Sequence, residues 1–163
     1  MTVSTLRPSA TTSNTGALTG AATAHGALND DSDSSLIEYE FAESSIVALG
    51  DLTLPAGAII KSVACRVRTG TNGGRVMGAI LGSGSTTIGL ANVQITWNSP
   101  TTITFFTRTS TYVTSEAITD AMMDGATLQL NGSSGSGVAR AYEAYIDVTY
   151  VDQPVVSADA PSG

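Results

Sequence analysis

The groups from which this chain could build chemistry are few: one histidine, His25, one cysteine, Cys65, and fourteen side-chain carboxylates. A serine or cysteine nucleophile needs a neighbouring base. His25 lies between Ala24 and Gly26 in a stretch without strand or helix pattern, so it reads as a surface histidine in a loop. Zinc capture needs clustered nitrogen and sulfur ligands, which one histidine and one distant cysteine do not supply. Cys65 sits in an alternating apolar run and is expected to be a buried, unreactive thiol with no intrachain disulfide open to it.

The carboxylates offer two constellations. In the run NDDSDSS, Asp30, Asp31 and Asp33 place three carboxylates within four positions, a density that hard-cation loops use. The run lacks the glycine and the distal glutamate of a calcium loop, and aspartate and serine side chains close Asx-type turns equally well. The expectation is a turn, with these three aspartates as the single weak metal candidate and no cofactor. Glu38 and Glu40 would share one strand face about 7 Å apart, as glycosidase pairs can, but any strand bearing acids two positions apart has that property. The glycine-rich TNGGR and the glycine–serine runs lack the GK[ST] ending of a phosphate loop and read as turns. Sugar platforms would need exposed rings; Trp97, Phe105, Phe106 and Tyr112 are the candidates, with Trp97 expected in the core. The expectation is a protein that is not an enzyme.

The elements that must carry these residues are read from periodicity. TVSTLRP is a first strand stopped by Pro8. Residues 9–35 are rich in Gly, Ser, Thr, Asn and Asp and are expected to form a long ordered loop. LIEYEFA alternates, placing Ile37, Tyr39 and Phe41 on the inward face. LGDLTLPAGAIIKSVACRVRTG supplies a short strand, a turn at Pro55 to Gly57, and a longer strand whose inward set is Ile60, Val63, Cys65 and Val67. RVMGAILG, TTIGLANVQITWN and TTITFFTRT follow, separated by NGG, GSGS and SP turns. VTSEAITDAMMDG predicts one short helix, capped by a Thr or Ser before Glu116 and stopped at Gly125. ARAYEAYIDVTYV predicts a long, central final strand with Tyr142, Ala144, Ile146, Val148 and Tyr150 on one face. The sum is an all-β chain, an antiparallel β-sandwich over residues 1–151, followed by an extended C-terminal arm at 152–163.

Composition bounds the partners. Hydrophobic residues make up 42% of the chain and charged residues 13%, enough for one core without staples. The net charge is -7, and Lys61 is the only lysine beside six arginines, so direct nucleic-acid binding is not expected. No run of eighteen apolar residues predicts a membrane span, and the opening MTVSTLRPSATTS lacks the pattern of a secretion signal; the expected site of synthesis is the cytoplasm.

The stretches TLRPSATTSNTGALTG, AHGALNDDSDSSLIEY, LTLPAGAIIKSVACRVR and ARAYEAYIDVTYV are together similar to β-sandwich virion proteins of tailed actinobacteriophages. The similar features are an Arg-Pro strand, a loop with a His-x-Ala-Leu-like core, an Asp-Ser-Asp turn and a Leu-Pro-Ala-Gly hairpin, and the likeness spans most of the chain. It implies a jelly-roll-like or carbohydrate-module-like sandwich without an active site, used as a capsid decoration protein, a head fibre or a minor tail protein. On that implication the domain sits on the virion, on the capsid exterior, bound to the major capsid protein or other virion subunits and associated with itself as a homo-oligomer such as a trimer. Partner contacts are expected at the terminal segments, through Arg7 and Pro8 at one end and Pro154, Val155 and Val156 at the other, and at Trp97 and Tyr112. The alternative is a minor tail module that recognises a host-surface glycan.

Overall fold

The fold is that of a computed structural model, which describes residues 1–153. The chain opens with β1 (Thr2–Leu6), and β2 (Pro8–Asn14) follows after a single residue. The two strands lie in different sheets: Leu6 pairs with Ile146, whereas Pro8 pairs with Leu49. Pro8 therefore marks a change of sheet and does not end strand structure. It is buried as the first residue of β2, where its missing N–H removes no ladder bond, and Gly50 N–H closes the crossing by donating to the Arg7 carbonyl at 2.9 Å.

The stretch 9–35, expected to be a loop, carries β2, β3 (Ala17–Thr19) and a helix α1 (Ala24–Asn29). Thr23 caps α1 by accepting a hydrogen bond from Gly26 N–H at 3.2 Å. Its buried residues, Ala24, Ala27 and Leu28, follow the i, i+3, i+4 spacing of a helix face. Two of the three are alanines, so the signal is weak in hydropathy although the packing is complete. His25 lies in this helix, not in a loop.

Eight further strands build the core sandwich: β4 (Leu36–Tyr39), β5 (Ser44–Leu49), β6 (Ile59–Thr71), β7 (Gly74–Ser83), β8 (Thr86–Ile95), β9 (Thr101–Arg108), β10 (Ala126–Ser136) and β11 (Ala139–Val151). In one sheet the order is β4-β11-β6-β9, and in the other β5-β10-β7-β8, all neighbours antiparallel. The chain crosses between sheets at every connection among these eight except the β7–β8 hairpin, and its first and last strands are neighbours. This is jelly-roll order. The three early strands flank it: β3 extends the first sheet beside β4, β1 lies along the C-terminal half of β11, and β2 extends the second sheet beside β5. The all-β sandwich expected from the alternating pattern is the fold.

The core between the sheets takes Ile37 and Tyr39 from β4, Val63, Cys65 and Val67 from β6, Leu128 and Leu130 from β10, and Ala144, Ile146 and Val148 from β11. The last strand is central, with β6 on one side and β4 and β1 on the other. Both neighbouring phenylalanines of β9 are buried because the β6–β9 register shifts between Cys65 and Arg66. Phe105 is the extra residue of that bulge, which frees it from strict alternation.

Two expectations fail for local reasons. Phe41, predicted to point inward, is 72% exposed. Strand β4 ends at Tyr39, and the turn that follows pairs with β10 through Ala42 N–H to the Gly132 carbonyl, with Ala42 at a φ of 64°. Alternation stops where the ladder stops. The predicted helix is also shorter and later than its cap signal: α2 (Asp120–Asp124) begins after Thr119, whose side chain accepts from Met122 N–H, and it ends at Gly125 as expected. Glu116 lies outside it, because its N–H donates to the Thr111 hydroxyl. A second helix, α1, was not anticipated.

Candidate functional site

Four arginines and five acids form ion pairs at the outer face of the six-stranded sheet. Arg7 donates to Glu143 at 2.6 Å and reaches Asp31 at 3.5 Å; Arg66 meets Asp147 at 3.0 Å; Arg68 clamps Asp33 with two bonds of 2.6 and 2.8 Å; Arg140 meets Glu38 at 3.0 Å. The Arg7 guanidinium also lies 5.3 Å from the centre of the Tyr145 ring. The bond from Arg68 holds the Asp33 carboxyl below its ordinary range, and bonds to Glu143 and Glu38 raise Arg7 and Arg140. Four arginines thus meet five acids across this face, Arg7 serving both Glu143 and Asp31.

The aspartate run does not form a cradle. Asp31 and Asp33 turn to different arginines, and Asp30 accepts from Ser32 N–H at 3.3 Å, an Asx turn. Among the described residues no three potential ligands gather. The glycosidase-like pair is likewise dispersed: Glu38 is engaged with Arg140, whereas Glu40 follows the end of β4, where its N–H donates to Glu43.

The nitrogen and sulfur groups are committed to structure. His25 Nδ1 lies 2.9 Å from the Thr11 hydroxyl, which also accepts from His25 N–H, pinning α1 to β2. The Cys65 thiol is fully buried, and desolvation pushes it far above the range in which it would ionise.

Of the candidate partner residues, Arg7 and Pro8 are integral to the sheet crossing, with Pro8 buried. The N-terminal segment is therefore a strand of the sandwich and not an arm reaching outward. Pro154, Val155 and Val156 lie outside the described residues. Trp97 packs against the core and donates its indole N–H to the Thr69 carbonyl at 2.8 Å, so it positions the β8–β9 connection over β6. Phe105 and Phe106 are buried. Tyr112 alone among the four aromatic candidates stands out in water, 46% exposed, with the Arg108 guanidinium 5.3 Å from its ring centre.

Tyr112 belongs to a loop that the residue pattern did not single out. The segment between β9 and α2 closes on itself through a bridge between Ser110 and Ala117, and it docks on β8 by Tyr112 N–H donating to the Thr87 carbonyl at 3.0 Å. Beside it lies a groove of about 240 Å³ lined by Ser85, Thr86, Thr87, Val113 and Thr114. A second groove, of about 200 Å³, lies on the other flank of the same segment, between Ala58–Ile60 and Ala117–Asp120. The signal for this site was present as a run of threonines either side of Tyr112, but threonine is equally a strand residue, and only the fold brings Ser85–Thr87 to the loop.

The fold defines a jelly-roll β-sandwich with one elaborated loop. No protein-family model matches the chain, and no curated protein matches it.

Proposed function

We propose that this domain is a non-enzymatic structural protein of a tailed-phage virion, acting as a capsid decoration protein that binds the assembled head through its surface. The observation that carries the reading beyond the sequence resemblance is the free edge of β1. Its one substantial packing partner among the named elements is β11, and its register along β11 is uninterrupted from Thr2 to Leu6. The strand carries no charge or proline, and Val3 is 56% exposed on it. Such an edge accepts an added strand from a neighbouring subunit. Two of the other edges are blunted: β3 is three residues long, and β2 is interrupted by two register shifts and packed by α1; the remaining edge strands are β8, on which the Tyr112 loop docks, and β9.

A protein that binds the lattice but not free subunits stabilises the assembled shell by mass action and needs no chemistry. The partner is then the major capsid protein or a second copy of this chain. Jelly rolls recur in viral capsid proteins, which supports the reading by analogy of fold. Electron cryomicroscopy of intact particles tests it: density for the sandwich across the head lattice is the expected result, and density confined to the tail overturns decoration.

A second reading is favoured by the exposed ring of Tyr112: a tail-tip module that recognises a host-surface glycan. Jelly rolls are also common among lectins, and an exposed aromatic at a loop tip is the part such a module needs.

A further inference from the structure

The loop from Ser110 to Ala117 is held more tightly than its surface position requires. Thr111 is fully buried at its centre. The Thr111 hydroxyl accepts from Glu116 N–H at 2.9 Å and shares a hydrogen bond with the Thr114 hydroxyl at 2.7 Å. Its N–H donates to the Glu116 carbonyl, and its own carbonyl accepts from Ser115 N–H and from Arg108. Ser115 adopts a left-handed φ of 57°, a conformation that a non-glycine residue holds only when its surroundings impose it.

What this scaffold presents to water is apolar: Tyr112 at 46% and Val113 at 76% exposure. The pattern inverts that of an ordinary turn, where polar side chains face solvent and apolar ones anchor. A rigid loop presenting an aromatic ring is a recognition device, because the ordering entropy is already spent before a ligand arrives.

The adjoining groove fixes the chemical class of that ligand. Four of its five lining residues, Ser85, Thr86, Thr87 and Thr114, carry hydroxyls, the fifth is Val113, and none is charged. An anion finds no free cation there, since Arg108 is bound to the carbonyls of Ser110 and Thr111 and lies over the Tyr112 ring, and the protein's net charge of -7 repels it. A cation finds no carboxylate lining the groove. An apolar peptide side chain would cover hydroxyls without satisfying them. A neutral sugar matches both features, with hydroxyls for the Ser and Thr wall and a C–H face for the Tyr112 ring, which adjoins the groove through Val113 and remains 46% exposed beside Arg108.

We propose that Tyr112 and the groove formed by Ser85, Thr86, Thr87, Val113 and Thr114 are a binding subsite for a neutral saccharide. The assignment rests on the glycan-recognition reading above.

The test is saturation-transfer and titration NMR of the full chain with methyl glycosides of glucose, galactose, mannose and N-acetylglucosamine and their β-linked disaccharides. The expected result is a saturable shift of the Tyr112 ring resonances with at least one of them. Tyr112→Ala should then weaken binding about tenfold or more, a difference of about 1.4 kcal/mol. Thr86→Val and Ser85→Ala, which leave the loop's internal bonds intact, should each weaken it severalfold. Phe41→Ala, at the β4–β5 turn, should leave it unchanged. Saccharide binding that is indifferent to Tyr112→Ala, Thr86→Val and Ser85→Ala overturns the subsite while sparing the glycan reading. Absence of binding to every saccharide overturns both.

Discussion

Arg7 donates to the Glu143 carboxylate at 2.6 Å, so the single residue between β1 and β2 is tied to the central strand β11. The pair fastens the point where the chain passes from one sheet to the other. Its two ends differ: the Arg7 side chain is 38% exposed, whereas that of Glu143 is 12% exposed.

Replacing Arg7 by methionine leaves the largely sheltered Glu143 carboxylate without its donor. The expected cost is about 1–2 kcal/mol, because a hydrogen bond between charged groups contributes more than a neutral one but the arginine is partly solvated. Pairing Arg7→Met with Glu143→Gln in a double-mutant cycle, measured by chemical denaturation, should give a coupling of similar sign and size; additive losses would show that the pair is incidental.

Gly89 on β8 faces the Phe106 ring of β9, and an added Cβ would overlap Phe106 Cε2. Here the need for glycine is space, not backbone freedom. Gly89→Ala should destabilise the domain by about 1–3 kcal/mol, the usual penalty of overpacking. Phe106→Leu introduced alongside it should recover part of the loss, and thermal melts of the single and double variants decide the matter.

Leu28 distinguishes the observed α1 from the loop that residues 9–35 resemble by composition. It is fully buried in the main core cluster. Leu28→Ala should therefore lower the unfolding free energy by about 2–5 kcal/mol, as for a core leucine. A change below a few tenths, as at a surface loop, would mean that α1 does not close the core.

The Arg68–Asp33 clamp sets the sign of one acid-linked effect. Because Asp33 is held below its ordinary range in the folded chain, the pair's contribution to stability is present above the unfolded-state value and is lost as pH falls through the lower folded one. A carboxyl-carbon NMR titration should place Asp33 below the ordinary aspartate range, and Arg68→Gln should return it to that range. Both residues are exposed enough that added salt should shrink the difference.

How much of this was legible beforehand depends on the kind of signal each residue carries. Val63, Cys65 and Val67 announce their inward face by alternation alone, and all three are in the core. Ala24 and Ala27 face inward just as completely, yet alanine is so nearly neutral in hydropathy that its helical spacing passes unnoticed among glycines and threonines. Phe41 shows the opposite error: alternation holds only while a ladder enforces it, and β4 stops two residues earlier. Thr119 was available as a cap, but an equally good cap residue preceded Glu116, and only the internal bonds of the Thr111 loop decide between them.

The sequence by itself determined the class of the fold, its antiparallel strands, its central last strand and most of its core, because the two-residue period of a half-buried strand is a local property. The tertiary structure alone decided the jelly-roll order, the change of sheet at Arg7, the pairing of arginines with acids on the outer face, and the meeting of Tyr112 with Ser85–Thr87. Those relationships join residues distant along the chain, and an alternating pattern records which face is buried without recording what it is buried against.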